Sequence, residues 1–280
     1  RIFLRLTTSC FRKQTICKYH TTFKMTAEES KTIKNILIVV AMEAEAAPFV
    51  KHYGLKPIDN FFDSKAAPFA VFQGEHSESS SQITVVTNGK DSVYGTNVDN
   101  VGTAPASLVT FLALQKLPEI DIVLNAGTCG GFKRKGAEIG NVFITSGVAN
   151  HDRRIPIPGF TEYGVGKIDC INAPKLMETN SDFKSGICTT SNSLDKTDED
   201  DKHMTANDAS VKDMEAAAIA WVCSLHQKPY LGIKVVTDIV DGDRPTQDEF
   251  MENLGAAAKS LQVALPKVLT HVCGKSISDL

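Results

Sequence analysis

The 280-residue sequence lacks an apolar run long enough to cross a bilayer, which takes about 20 consecutive apolar residues. Its seven cysteines include no CxxC pair and no cysteine–histidine cluster, so we expect neither a structural zinc site nor a disulfide framework. The net charge is -3, without the positive excess that attracts nucleic acid. We therefore expect a protein of a reducing compartment, with no metal, no cofactor, and no membrane or nucleic-acid partner.

Acidic residues are also missing from positions 1–24, which hold six Lys or Arg. This basic composition, rich in Ser and Thr, fits a plastid or mitochondrial transit peptide. We favour the alternative of a translated leader or fragment, because Met25 opens MTAEESKT, a stretch typical of a cytosolic start. In either case residues 1–24 are predicted to be a disordered basic leader, followed by one domain over residues 25–280 of a cytoplasmic protein.

Short β-branched runs alternate with helical patterns along the rest of the chain, and this alternation predicts a single α/β domain. The predicted strands are Asn35–Val40, Phe69–Gln73, Ile83–Thr87, Ile122–Ala126, Val142–Val148, Gly186–Thr190 and Tyr230–Val236. The predicted helices are Asp99–Leu114, Met214–His226 and Asp248–Leu269. The polar stretch Ser191–Asp208 is predicted to be a loop with an exposed acidic centre.

Polar side chains follow several of these strands at the point where each strand ends. Ligands of open α/β sheets bind beyond the carboxyl ends of the strands. The residues found there are Met42, Glu45, Thr128, Thr237 and Asp238, and Glu215 follows a short strand-like segment, ASVK. We predict that three carboxylates and two hydroxyls meet in one cleft.

Each of these carboxylates also has a simpler interpretation. Glu45 and Glu215 are both placed where a helix could begin, and the helix dipole favours a solvated glutamate in the first turn. Asp213 would then cap the helix that contains Glu215. Asp238 is harder to place on the surface, because the chain returns to an apolar Ile-Val pair directly after it. Taken singly, none of the three is diagnostic.

Two further motifs leave alternatives open. The glycines of NAGTCGG match neither GxxxxGK[ST] nor GxGxxG, so the segment is either a tight turn or a backbone cradle for a sugar or base. Cys129 within it has no evident histidine partner, which argues against a nucleophile. HDRRIPIP, from His151 to Pro158, is interpreted as a surface or subunit-contact loop.

Five segments of the chain carry a more specific signal when they are taken together and in order. They are VVAMEAEAAP, NAGTCGGFKRKGAEIGNV, HDRRIPIPGFTEYGVG, KDMEAAAIAWV and KVVTDIVDGDRPTQDEF. The chain thereby resembles the 5′-methylthioadenosine/S-adenosylhomocysteine nucleosidases of the nucleoside phosphorylase superfamily, most closely their plant-type members. The resemblance implies one α/β domain around a mixed, partly closed sheet flanked by helices, usually in a homodimer.

The resemblance also assigns roles to individual residues. It implies that Glu45 activates water, that Glu215 holds the ribose hydroxyls and that Asp238 protonates adenine. It further implies substrate contacts from Met42, Thr128, Leu194, Lys212, Asp213, Met214 and Thr237. One departure lies at Thr190–Asp195, which is TSNSLD where the family commonly has TGDSLD, so the geometry of this loop is open. The segment DSVYGTNVDNVG is about two residues longer than the plant pattern.

The implied reaction is hydrolysis of 5′-methylthioadenosine to adenine and 5-methylthioribose, in methionine salvage. Acceptance of S-adenosylhomocysteine depends on how open the site is beyond the sulfur. A phosphate-dependent phosphorylase of the same superfamily would want Arg or Lys beside the sugar, whereas the stretch from Val39 to Val50 holds only Glu43 and Glu45 as charged residues. A non-catalytic storage-type relative is the remaining alternative.

Overall fold

The computed structural model of the protein describes residues 31–280. The predicted leader, residues 1–24, and the predicted domain start at residue 25 lie outside the described residues. The strands are β1 (Asn35–Val40), β2 (Lys56–Pro57), β3 (Ala70–Glu75), β4 (Gln82–Thr87), β5 (Ile122–Gly131), β6 (Val142–Asn150), β7 (Ile168–Asp169), β8 (Phe183–Thr190), β9 (Ala209–Asp213) and β10 (Tyr230–Ile239). The helices are α1 (Glu43–Tyr53), α2 (Thr103–Lys116), α3 (Thr161–Val165), α4 (Pro174–Thr179), α5 (Asp198–Ala206), α6 (Ala216–Leu225) and α7 (Thr246–Val272).

All these strands belong to one mixed sheet, which closes on itself over part of its width. Strands β10, β6, β8, β9 and β5 follow one another, and β10 also pairs with β5, so these strands form a ring. From β5 the sheet continues as an open flank of β1, β4, β3 and β2, while β7 pairs with β6. The mixed, partly closed sheet predicted from the resemblance is confirmed.

Parallel pairing sets which strand ends share an edge. Strand β1 lies parallel to β5, with Ile36 opposite Ile122, and β10 lies parallel to β5, with Val235 opposite Thr128. These strands are buried over nearly their whole length, as expected for strands covered on both faces. Their carboxyl ends therefore open on the same side of the molecule, where helices α1, α6 and α7 begin nearby.

The structure corrects one prediction and extends another. The stretch Ser191–Asp208 is not all loop, because α5 begins at Asp198 with the side chain of Thr197 accepting a hydrogen bond from the Asp200 amide. Asp200, at the predicted exposed acidic centre, is buried and paired with Arg154. The predicted strand at Gly186–Thr190 is confirmed and starts earlier, at Phe183.

Helix α7 is the longest helix, with 27 residues, and its apolar side packs against the sheet. Its buried positions, such as Leu261, Leu265 and Val268, recur every three or four residues, and the helix predicted over Asp248–Leu269 is confirmed. Within residues 31–280, no helix combines the length and the apolar character needed to cross a membrane.

Candidate active site

A cavity of about 250 Å³ lies at the carboxyl ends of β1, β5 and β10. All the site residues predicted from the sequence line it: Met42, Glu45, Thr128, Leu194, Lys212, Asp213, Met214, Glu215, Thr237 and Asp238. The predicted convergence of the three carboxylates is thus a feature of the structure. The individual role of each residue stays a prediction.

Glu45 enters the cavity from the first turn of α1. Its side chain is buried, with 3% of the residue exposed, so it is a first-turn glutamate but not a solvated one. One carboxylate oxygen, Oε1, lies 2.7 Å from both the amide and the hydroxyl of Thr128, and Oε2 accepts the Met42 amide at 3.1 Å. Three donors therefore hold the carboxylate in place between α1 and β5.

Its neighbour Glu43 behaves differently, although it lies only two positions earlier in the same turn. Glu43 is exposed and its carboxylate lies 3.3 Å from Lys90 Nζ, on the surface of the molecule. The two glutamates of AMEAEAAPF therefore separate into one surface residue and one cavity residue.

Glu215 reaches the cavity from the residue preceding α6. Its carboxylate is buried and accepts the amide of Gly102 at 2.8 Å. Burial, reinforced by the charge of Asp213, raises the pKa of Glu215 to about 7, against the opposing charge of Lys234. The solvated interpretation is wrong for Glu215, whereas Asp213 does accept the Ala216 amide at the start of α6, as the capping prediction required.

Lys234 is a site residue that the sequence analysis missed. It lies in the middle of β10, it is 1% exposed, and its Nζ is 2.8 Å from Asp213 Oδ2. Although burial disfavours the charged carboxylate, Lys234 helps to hold the pKa of Asp213 below its ordinary value. A lysine between Ile233 and Val235 was the available signal, because a buried charge requires a partner.

Asp238 lies where β10 loses its register with β5, between Val236 and Asp238. The residue is buried and its Oδ1 lies 2.7 Å from the hydroxyl of Thr237. Burial raises the pKa of Asp238, while Thr237 and Lys212 act in the opposite direction. A carboxyl group in this position is suited to hold a proton for transfer. Thr237 lines the cavity, but its hydroxyl donates a hydrogen bond either to Asp238 or to the Cys129 carbonyl, which is 3.1 Å away.

Lys212 holds the loop that carries Leu194 at the mouth of the cavity. Its Nζ donates to the carbonyl oxygens of Ser193, at 2.6 Å, and Leu194, at 2.8 Å. Lys212 lines the cavity while its ammonium group binds the loop, and its substrate contact stays a prediction. The side chain of Leu194 is partly exposed at the opening.

In the loop Thr190–Asp195, where TSNSLD replaces the family's common TGDSLD, Asn192 binds the start of α2. Its Oδ1 lies 2.9 Å from both the amide and the hydroxyl of Thr103, the first residue of α2. Gly102, which precedes α2, has φ +103°, and a Cβ there would lie 2.9 Å from Asn192 Oδ1. Since the Gly102 amide binds Glu215, the loop, the start of α2 and one cavity carboxylate form a single hydrogen-bonded unit.

Four further residues that the sequence analysis did not predict as site residues also line the cavity. Val101 and Phe250 add apolar surface to the cavity, and Asn125 and Cys129 line its floor along β5. Asn125 binds the Val39 carbonyl and the Tyr230 hydroxyl, so it joins strands. Burial raises the pKa of the Cys129 thiol well above its ordinary value, which fits the argument against a nucleophile.

Comparison with known proteins agrees with the fold and with the motifs. The model of the phosphorylase superfamily matches residues 35–270. A 5′-methylthioadenosine nucleosidase of Arabidopsis thaliana is 44% identical over 254 residues, covering 91% of this chain and 93% of that protein. A 5′-methylthioadenosine/S-adenosylhomocysteine nucleosidase of Arabidopsis thaliana is 43% identical, covering 90% of this chain and 97% of that protein.

The fold comparison gives the same family. The apo structure of Arabidopsis thaliana 5′-methylthioadenosine nucleosidase superimposes with a TM-score of 0.85, covering 89% of this chain and 100% of that one. The resemblance found in the sequence is confirmed, and the chain belongs to the phosphorylase superfamily, among its plant-type 5′-methylthioadenosine/S-adenosylhomocysteine nucleosidases.

Proposed function

We propose that this protein hydrolyses the N-glycosidic bond of 5′-methylthioadenosine, giving adenine and 5-methylthioribose. The observation that carries the proposal is the meeting of Glu45, Glu215 and Asp238, distant in sequence, in one cavity. The names of the relatives agree with this activity.

The proposed reaction uses Asp238 as the acid. Adenine leaves poorly as an anion, so a proton must reach a ring nitrogen as the bond between C1′ and the base breaks. The bond's electron pair goes to the base, and the Asp238 proton makes the leaving group neutral. The raised pKa of Asp238 supports this role, because it keeps the carboxyl group protonated at higher pH.

Glu215 and Glu45 act on the sugar side. As C1′ gains positive charge, the Glu215 carboxylate stabilises it and binds the ribose hydroxyls. Burial raises the pKa of Glu215 to about 7 and Lys234 opposes that rise, so the ionised form that this role requires is present from neutral pH upward. Glu45 accepts a proton from the water whose oxygen bonds to C1′, so that acid and base act on opposite sides of the sugar, as in inverting glycosidases.

The charges around the cavity favour water over phosphate as the attacking group. The two lysines among the lining residues are already committed, Lys212 to loop carbonyls and Lys234 to Asp213. Free cationic donors are what a phosphate dianion requires, whereas carboxylates repel it. The phosphorylase alternative is therefore disfavoured.

We predict that the purified protein releases free adenine from 5′-methylthioadenosine at the same rate with and without inorganic phosphate. Chromatography of both products should give adenine and unphosphorylated 5-methylthioribose. A parallel assay with S-adenosylhomocysteine measures whether the cavity accepts the larger 5′ substituent. Activity that disappears without phosphate would establish the phosphorylase alternative, and no adenine under either condition would establish a non-catalytic relative.

We also propose that the protein is a homodimer, joined through an exposed apolar surface on α2 and α6. This α2–α6 face comprises Leu108, Phe111, Trp221 and Leu225, which lie three or four positions apart on each helix. The helices pack against each other, and the ring of Phe111 on α2 lies 5.0 Å from that of His226, the residue directly after α6. A second copy of the chain would cover these side chains, of which Trp221 is 48% exposed.

Light scattering at micromolar concentration should therefore give the mass of two chains. Trp221→Glu is expected to shift the protein towards monomer, because it places a charge in the apolar face. Lys259→Glu, an exposed change on α7 and outside the α2–α6 face, is the control and should leave the dimer intact. A wild-type monomer would contradict the proposal.

The cellular context remains part of the proposal. We place the reaction in methionine salvage, since its sugar product keeps the methylthio group, and in the cytoplasm. The cysteines in the described residues, Cys129, Cys170, Cys188, Cys223 and Cys273, are all free, which suits a reducing compartment. We expect neither a nucleic-acid nor a membrane partner.

A further inference from the structure

Two side chains from the start of α7 contact the backbone on both sides of Asp238. Asn253 Nδ2 donates to the carbonyl oxygen of Thr237 at 3.0 Å. Glu249 Oε2 accepts the amide of Ile239 at 2.8 Å. The residue that carries the proposed acid is therefore held from its preceding and its following peptide group by one helix.

These contacts occur where the regular pairing of β10 with β5 is interrupted. The register of β10 against β5 shifts between Val236 and Asp238, and a residue inserted in this way loses its regular ladder partners. Glu249 is buried there, with 6% exposed, and a buried carboxylate is costly unless it is hydrogen-bonded. The Asn253 amide group also donates to the backbone carbonyl of Glu249 at 2.8 Å, so its side chain is anchored to the preceding turn of α7.

We propose that Glu249 and Asn253 are positioning residues that fix the bulged backbone so that the Asp238 carboxyl group points into the cavity. This inference rests on the proposed function, because it takes Asp238 as the acid. Neither residue is among the lining residues of the cavity, so neither is offered as a substrate contact.

The charge of Glu249 has a second effect on the same group. Burial is the main reason for the raised pKa of Asp238, and Glu249 adds to the rise, whereas Thr237 and Lys212 oppose it. The ionisable groups around Asp238 are Glu249 from α7, Lys212 from β9 and the Cys129 thiol from β5. On the other carboxylate oxygen of Glu249, Oε1, the half-exposed Arg244 lies with its Nη1 4.0 Å away.

Glu249→Ala and Asn253→Ala are each expected to lower kcat for 5′-methylthioadenosine by roughly 10- to 100-fold, the scale of a misplaced catalytic group. KM should change little, because the acid acts in the transition state rather than in binding. Circular dichroism and thermal unfolding of each variant measure how much folded protein contributes to the rate.

Glu249→Gln separates the two effects, because its amide oxygen can still accept the Ile239 amide while the charge is gone. Removing a negative charge lowers the pKa of Asp238, so the acid loses its proton at lower pH. The alkaline limb of the kcat profile should move to lower pH, with near wild-type kcat below it. The matched control is Glu252→Gln, an exposed residue of α7 that binds Arg244 and should leave the profile unchanged.

Wild-type kcat in both alanine variants would overturn the positioning role, and an unmoved alkaline limb in Glu249→Gln would overturn the charge effect of Glu249 on Asp238. Either result leaves the proposed function standing if the wild-type protein releases adenine. The proposed function fails separately, if the wild-type protein gives no adenine or if Asp238 itself proves dispensable. Should the alanine variants fail to fold, Asn253→Leu takes their place, because it keeps the approximate size of the side chain but has no donor for the Thr237 carbonyl, and wild-type kcat in it would overturn the positioning role.

Discussion

Asp238→Asn is expected to lower kcat for 5′-methylthioadenosine by at least about a hundredfold, the contribution typical of a general acid. Asparagine keeps the size of the side chain, and its oxygen can still accept the Thr237 hydroxyl that lies 2.7 Å from Asp238 Oδ1. It has no carboxyl proton to give to the leaving base. The variant therefore removes the proposed chemistry while preserving most of the local contacts.

The pH dependence gives this prediction a second measurable part. Because burial raises the pKa of Asp238, its protonated form persists above the ordinary range of an aspartic acid. Wild-type activity should fall as pH rises through that pKa, and the residual activity of Asp238→Asn should lack this limb. Folding should not suffer, since the raised pKa means that burial disfavours the ionised carboxylate the substitution removes.

Asp243→Asn is the matched control, because Asp243 lies in the exposed turn five residues after Asp238. It should keep wild-type kcat and the same pH profile. If Asp238→Asn retains a near-normal rate with 5′-methylthioadenosine, Asp238 has no part in protonating the base.

Glu45→Gln is expected to have an effect of similar size, on the order of a hundredfold in kcat, because it removes the proposed base. It also disturbs the site. The carboxylate accepts the Met42 amide and both donors of Thr128, whereas an amide side chain offers a single oxygen. Its NH2 group would face another donor, which costs roughly 1–3 kcal/mol in the free energy of unfolding.

Glu43→Gln provides the control from the same helical turn. Glu43 is exposed and pairs with Lys90, so its substitution should leave kcat and thermal stability close to the wild-type values. Comparing kcat of the two variants in folded protein separates loss of the base from loss of structure. Equal, near wild-type rates in both would remove Glu45 from the mechanism.

The convergence of the carboxylates was predictable because it follows from strand ends. Glu45, Thr128 and Asp238 all come at the ends of short β-branched runs, and parallel strands end on one side of a sheet. Carboxylates without a neighbouring Arg or Lys then indicated general acid–base catalysis rather than phosphate binding. The family motifs, spread over most of the chain, assigned the roles that position alone left open.

What escaped prediction depends on contacts between distant segments. The ring closes through pairing of β10 with β5, and no local pattern encodes which strands meet. Helix α5 was missed because its polar composition resembles a loop, although Thr197 caps it and Arg154 neutralises the buried Asp200. The partners of Lys234 and Glu249 likewise lie on other elements, Asp213 on β9 and the Ile239 amide on β10, so no local pattern identifies them.

The open flank of the sheet ends in β2, a strand of two residues, Lys56 and Pro57. A proline has no amide hydrogen to offer, and an exposed lysine discourages a neighbouring chain from docking edge to edge. This end of the sheet therefore makes a poor template for adding strands from other molecules. Edge-to-edge aggregation of the folded protein is thereby disfavoured on this flank.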